Sequence, residues 1–177
     1  LIIGSGLAGQ SAALRLAPDS ADLQQALLWL LIDSNDAAAL RRTLASHELT
    51  WRANPALHDA LAASHQALSQ PQVALQRYLN PRVAAHRDDF LWLMNYADAL
   101  DQNQQSDRAW RLRRHLLSAK WQATRDRRTL HAARQRWLTE EGLDETRRLA
   151  RTRLLLTQRP GDAGFDALRE LLRLDSG

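Results

Sequence analysis

Three groups of residues have types and spacings that could do chemistry. The first lies in Leu1-Ile-Ile-Gly-Ser-Gly-Leu-Ala-Gly, an apolar run leading into Gly4-x-Gly6-x-x-Gly9. Glycines at that spacing allow a tight turn and close approach of backbone N–H groups to a pyrophosphate at a helix N-terminus. Such a site would serve a flavin or nicotinamide oxidoreductase. The second group is His58 and His65, seven residues apart on one helical face, where they could share a ligand. The third is an arginine-rich stretch. Residues 108–153 hold thirteen Arg plus Lys120 against five acids, a net charge of +9. That density suits an acidic protein partner or nucleic acid.

Each group depends on the elements that would position it. A dinucleotide fingerprint needs a second strand about 20 residues on, ending in an acid for the ribose. Here Leu23 to Ile32 reads as helix formers with an apolar arc at helical spacing, although Asp33 follows. No βαβ alternation appears downstream, so the Gly4, Gly6 and Gly9 motif is expected to be a helix-end turn and no cofactor is expected. Leu30-Leu-Ile-Asp-Ser-Asn offers a parallel: an apolar helix end before a small polar turn. His58 and His65 fall on a buried stripe, which favours packing over metal ligation. No nucleophile triad, HExxH or matched carboxylate pair is present, so no catalytic residue and no metal ligand is assigned. Nucleic acid is disfavoured as a partner by the single Lys, the absence of a reader motif and the lack of aromatics interleaved with the Arg residues.

Composition narrows the fold. The 177 residues are 45% hydrophobic and 25% charged, with no Cys and only seven Gly and five Pro. Such a mixture is globular, not disordered, and excludes a disulfide scaffold or a Cys-based zinc module. Ala, Leu, Arg and Gln dominate, and all favour helix. The net charge is +4, yet residues 1–80 carry only −1, so the basic charge belongs to the later part. The most apolar run, Ala26 to Ile32, is far short of the roughly 20 residues of a membrane span. The chain opens at Leu1 without Met, inside an apolar run, and is expected to be a piece of a longer protein.

Internal repetition organises the chain. Three helix-turn-helix patterns carry turns at Asp33-Ser-Asn-Asp36, Ser69-Gln-Pro-Gln72 and Asp101 to Ser106. Small residues near the start of each second helix fall at Ala39, Ala74 and Ala109, both intervals being 35 residues. First helices carry Leu23/Ala26/Leu27/Leu30, His58/Leu61/Ala62/His65 and Leu93/Tyr96/Ala97/Leu100, each an i, i+3, i+4, i+7 stripe. A looser fourth unit holds Leu130, Ala133, Trp137, a turn at Glu141-Gly142, then Thr146, Leu149 and Ala150. The expected organisation is a single array: a partial repeat over 1–19, repeats over about 20–54, 55–89, 90–126 and 127–160, and a partial repeat over 161–177.

The unit with Leu93, Tyr96-Ala97, Leu100 and Ala109, and the one with Leu61-Ala62, Ala74 and Tyr78, resemble the tetratricopeptide repeat, although turn positions lack Gly and Pro81 comes early. The resemblance implies an all-α fold, a right-handed α-solenoid of TPR-like helix-turn-helix repeats. It also implies a groove lined by first-helix positions: Asp59 and Gln66, then Leu91, Met94, Asp98, Asp101 and Gln102. The carboxylate clamp of the family uses Lys, Asn and Arg there, so Met94 and Asp98 point away from acidic C-terminal peptides and toward a cationic segment or polymer. Arg108, Arg111, Arg113, Arg114, Arg127, Arg128, Arg134 and Arg136 are the candidate partner-binding residues outside that groove. Trp110 and Trp137 are expected in the core; Trp51 and Trp92 fall beside the stripe.

Within residues 88–117, Leu91-Trp-Leu-Met-Asn-Tyr-Ala-Asp-Ala-Leu100 and Ala109-Trp-Arg-Leu-Arg-Arg-His115 resemble the periplasmic repeat region of PelB-like outer-membrane export proteins of Pel exopolysaccharide systems. Leu28-Trp-Leu-Leu-Ile-Asp33 is similar to an earlier repeat of that region. This resemblance implies a non-enzymatic periplasmic scaffold that binds a polymer-modifying deacetylase/hydrolase and guides polysaccharide to an outer-membrane barrel. Membrane contact would come only through that C-terminal barrel, which this sequence does not contain. A generic protein-interaction adaptor is the alternative.

Overall fold

A computed structural model describes residues 19–140 and 145–156. The first-unit expectations on Gly4, Gly6, Gly9 and the leading partial repeat, the turn at Glu141-Gly142 and the partial repeat over 161–177 lie outside them. Among the described residues the fold is all-α, built of helix-turn-helix hairpins. The chain divides into two compact units between Arg82 and Val83.

In the first unit, α1 (Ala21–Asp33) and α2 (Ala37–Trp51) form one hairpin. The segment Leu23 to Ile32, where a dinucleotide fold would need a strand, is therefore helix. A 3₁₀ turn, Pro55–Leu57, leads into α3 (His58–Ala67). Its partner helix opens as α4 (Pro71–Val73) and continues as a π-helical segment, Ala74–Leu79. Helix α1 packs on α3 as well as on α2, so first helices of successive hairpins are neighbours. Leu27, Leu28, Leu31, Leu40, Leu44, Leu57, Leu61, Leu75 and Tyr78 are buried between them. Each such side chain contributes about 1.5–3 kcal/mol by leaving water. Ala60, Ala62 and Ala74 are buried at the crossing, where a short side chain lets the backbones approach.

In the second unit, α5 (Phe90–Gln102) pairs with α6 (Ser106–Leu116), a short α7 (Ala119–Ala123) follows, and α8 (Arg127–Leu138) precedes α9 (Glu145–Leu156). Phe90, Leu93, Met94, Trp110, Leu116, Leu117, Trp121 and Trp137 form its core. Phe90 meets Trp137 edge-on with ring centroids 6.1 Å apart, a favoured aromatic geometry. Trp110 and Trp137 are thus core residues, and Trp51 is buried in the first unit, stacked on His47 at 4.8 Å. Again the first helices, α5 and α8, lie side by side.

Helix starts follow from the sequence. Leu23 N–H donates to Ser20, Ala39 N–H to Asp36, Trp92 N–H to Asp89 and Thr129 N–H to Asp126, each residue three after its cap. The ends of α1, α3 and α5 share one geometry. Asp36 N–H donates to Leu31 C=O and Asn35 N–H to Ile32 C=O; Gln70 and Ser69 do the same toward His65 and Gln66; Gln105 and Gln104 toward Leu100 and Asp101. These paired bonds define a Schellman motif, which requires a left-handed residue after the helix end. Asn35, Ser69 and Gln104 supply it, with φ of 54°, 58° and 60°. The missing turn glycine is therefore replaced in side chain but not in backbone shape.

Candidate functional site

Two polar networks decide which charged side chains remain for a partner. In the first unit, Glu48 of α2 accepts from His65 Nε2 at 2.8 Å, from Arg77 at 2.9 Å and from the Tyr78 hydroxyl. His65 Nδ1 meets Gln70 Oε1 at 2.7 Å. Partial burial pushes the Glu48 carboxyl up, but the bonds from Tyr78, His65 and Arg77 outweigh it and hold it below its ordinary value. Burial and the same carboxylate drive the Tyr78 hydroxyl well above the usual phenol range. His65 is thus a bonded core residue, and the described residues hold no group of three or more His, Asp or Glu side chains arranged for a metal ion.

In the second unit, Arg113 donates to Asp98 at 2.5 Å and pairs with Asp101 at 2.6 Å. It is only 4% exposed. Burial alone would lower its pKa, yet the two carboxylates hold the guanidinium charged, above its ordinary value. Arg151 of α9 stands over the Trp137 ring at 4.7 Å, donates to the Trp137 carbonyl at 2.7 Å and to Glu140 at 2.5 Å, and reaches Asp98 at 3.6 Å.

These networks correct part of the sequence reading. Arg113 is not a surface residue for a partner: it shares the inward stripe of α6 with Trp110 and Leu116 and neutralises two acids. Met94 is not a groove residue, being fully buried in the core of the second unit. Asp98 and Asp101 face Arg113, and Asp59 is paired with Arg82. Gln66 is half-buried and Gln102 exposed on its helix. Arg108, Arg111, Arg114, Arg127, Arg128 and Arg136 are exposed and Arg134 half-buried.

A groove does exist on the first-helix side of the second unit, and of the expected α5 face only Leu91 lines it. It encloses about 1040 Å³ between α5 and α8. Leu91, Trp92 and Asn95 form one wall, Thr129, Leu130, Ala133 and Arg136 the other. Ala85, His86, Asp88 and Asp89 line it as well, with Thr124, Arg125 and Asp126. Of the residues named from sequence as binding candidates, Leu91 and Arg136 line it. Trp92 carries rings on its flanks, His86 at 4.2 Å and Tyr96 at 5.6 Å, both nearly parallel to it. Arg125 bonds Asp88 at 2.5 Å and stands over Trp121 at 4.0 Å. Asp126 stays ionised, its pKa lowered by the Thr129 N–H and hydroxyl. The sequence signal for this wall was Trp92 itself, a large aromatic one step off the buried stripe.

The groove thus combines an apolar wall, the exposed Asn95 amide and a charged rim that includes His86, Asp88, Asp89, Asp126 and Arg136. No helix among them is long and apolar enough to cross a membrane. Comparison with known proteins agrees with the hairpin geometry. A tetratricopeptide repeat profile matches residues 7–122, covering hairpins in both units. No curated protein and no solved structure matches the chain. A match over that much of the chain, with paired helices, Schellman turns and small crossing residues, leads to one assignment: the chain belongs to the tetratricopeptide repeat family.

Proposed function

We propose that the chain is a non-enzymatic protein-interaction scaffold that holds a segment of a partner protein along the α5–α8 groove. The observation that carries this reading is the groove itself. Two adjacent first helices present Leu91, Trp92 and Leu130 beside Asn95 and Arg136 over about 1040 Å³. That is at the top of the roughly 300–1,000 Å³ range of small-molecule pockets, room for a short peptide segment. Apolar contacts would supply affinity, and Asn95 and Arg136 would fix register by bonding backbone or side-chain groups of the guest. Selection of displayed random peptides on the chain tests this. Enriched peptides should lose binding to Trp92→Ala and to Asn95→Arg, both on the groove wall. No enrichment, or peptides indifferent to both substitutions, would remove the groove as the binding site.

A finer proposal is a periplasmic scaffold in exopolysaccharide export, with a polymer deacetylase/hydrolase as the guest and the polysaccharide itself as a second ligand. Its support is the sequence likeness over residues 88–117, which spans α5 and α6. Binding of a Pel-type deacetylase to the chain, measured directly, tests it. Absence of binding would discard the export role and leave the adaptor reading standing.

A further inference from the structure

The arginine-rich stretch separates into two classes once the ion pairs are known. Arg113, Arg125 and Arg151 are turned inward and bonded to Asp98, Asp101, Asp88 and Glu140. On α6 the neighbours of Arg113 face the other way. Arg111 and Arg114 are exposed and form no ion pair among the described residues. Arg108, also exposed, is bonded among the described residues to the neutral Gln105, at 2.6 Å. Lys120 on α7 is exposed as well. Arg108, Arg111 and Arg114 recur every third residue and so form a ridge about 9 Å long at 1.5 Å rise per residue. None of them lines the α5–α8 groove.

We infer that the α6 ridge of Arg108, Arg111 and Arg114 is a second docking face, fitted to an acidic helical segment of a partner protein. Charge complementarity names the sign, and the geometry names the class. Guanidinium groups pair with carboxylates through two parallel bonds, a match that compact ammonium groups lack. Steps of three residues on one helix match Glu or Asp placed three or four apart on another. Single-stranded nucleic acid would need exposed aromatic platforms between the cations, but Trp110 and Trp121 are buried. A membrane-surface helix would need an apolar face beside its cations, and the outward face of α6 carries Asp107, Arg108, Arg111, Arg114 and His115.

Fluorescence anisotropy of a labelled Glu-rich helical peptide against the whole chain tests the inference. We expect saturable binding in roughly the micromolar to millimolar range that weakens with salt. Arg111→Glu with Arg114→Glu should raise Kd at least about tenfold. Arg41→Glu with Arg42→Glu, an exposed pair on α2, should change it less than about twofold. Circular dichroism checks that both variants fold. Equal losses from both pairs, no effect of the first pair, or tighter binding to duplex DNA or to phosphatidylglycerol vesicles than to the peptide would overturn it. Trp92→Ala, which disables the groove, should leave this binding unchanged, so the two sites fail separately.

Discussion

His65 offers both ring nitrogens to oxygen acceptors: Nε2 lies 2.8 Å from Glu48 Oε1 and Nδ1 lies 2.7 Å from Gln70 Oε1. The contact joins the second helix of one hairpin to the first helix of the next, and Tyr78 and Arg77 add a third helix to the same carboxylate. Glu48→Ala should therefore loosen the first unit by about 1–3 kcal/mol, the range for leaving buried donors unpaired. Urea unfolding followed by Trp51 fluorescence would measure it; a change near zero would mean the carboxylate is dispensable.

The same carboxylate sets an acid limit. Its folded pKa lies below its ordinary value, so its contribution is complete above the unfolded value of about 4.3. The contribution then fades as pH falls through the folded value. Tyr78 works in the opposite sense: its pKa is raised, so its contribution is complete below about 10 and fades as pH rises. Between those limits neither Glu48 nor Tyr78 gives the stability of the first unit a slope with pH. Glu48→Gln should flatten the acid arm, and an arm unchanged in this variant would assign the acid loss to other groups.

Neighbouring arginines on α6 should behave differently. Arg113→Ala leaves Asp98 and Asp101 without their main counter-charge and should cost about 3–5 kcal/mol. Arg114→Ala removes an exposed side chain with no ion pair among the described residues and should fall within about 0.5 kcal/mol of neutral. Thermal melts of the two variants decide the matter, and equal effects would contradict the inward placement of Arg113.

Turn residues give a prediction of the opposite sign. A left-handed backbone costs a side chain with a Cβ about 1–2 kcal/mol, except that Asn tolerates it better. Ser69→Gly and Gln104→Gly should each stabilise by up to about 1 kcal/mol, with Asn35→Gly gaining less. Each can be read from the shift in urea midpoint. Destabilisation by the glycine would show that the side chains matter more than the turn shape.

Ala97 and Ala109 sit where α5 and α6 cross and are fully buried. Enlarging Ala97 to Leu should overpack the hairpin and cost about 1–3 kcal/mol. Ala123→Leu, at an exposed position of α7, serves as the comparison and should be near neutral.

The helices and their pairing were legible because a stripe every three or four residues needs no tertiary knowledge. Leu61, Ala62, Ala74, Ala97 and Ala109 all proved to be buried. The groove was harder. Its α5 wall is made by Leu91, Trp92 and Asn95, whereas Met94 lies in the core that Phe90 and Trp137 share. The same periodicity did contain the correction. Met94 lies one residue from Leu93 and four from Phe90, and Arg113 lies three from both Trp110 and Leu116, so each belongs to a buried stripe. Reading Arg113 as surface followed its charge, because the acids that neutralise it lie on another helix, fifteen residues back at Asp98. The Glu48–His65 contact was hidden for the same reason, its partners being seventeen residues apart.

Asp98 is shared. It bonds Arg113 on its own hairpin and also reaches Arg151 on the following one. Repeat arrays generally divide their stability into a term for each repeat and a term for each junction, and a carboxylate held from both sides belongs to the junction. Removing α9 would strip Asp98 of one counter-charge and Trp137 of the cation above its ring, so the loss would reach back into α5 and α8. Helices α5, α8 and α9 are therefore coupled through Asp98 and Trp137, and a partner that seizes Arg151 would be felt at Asp98 without touching it.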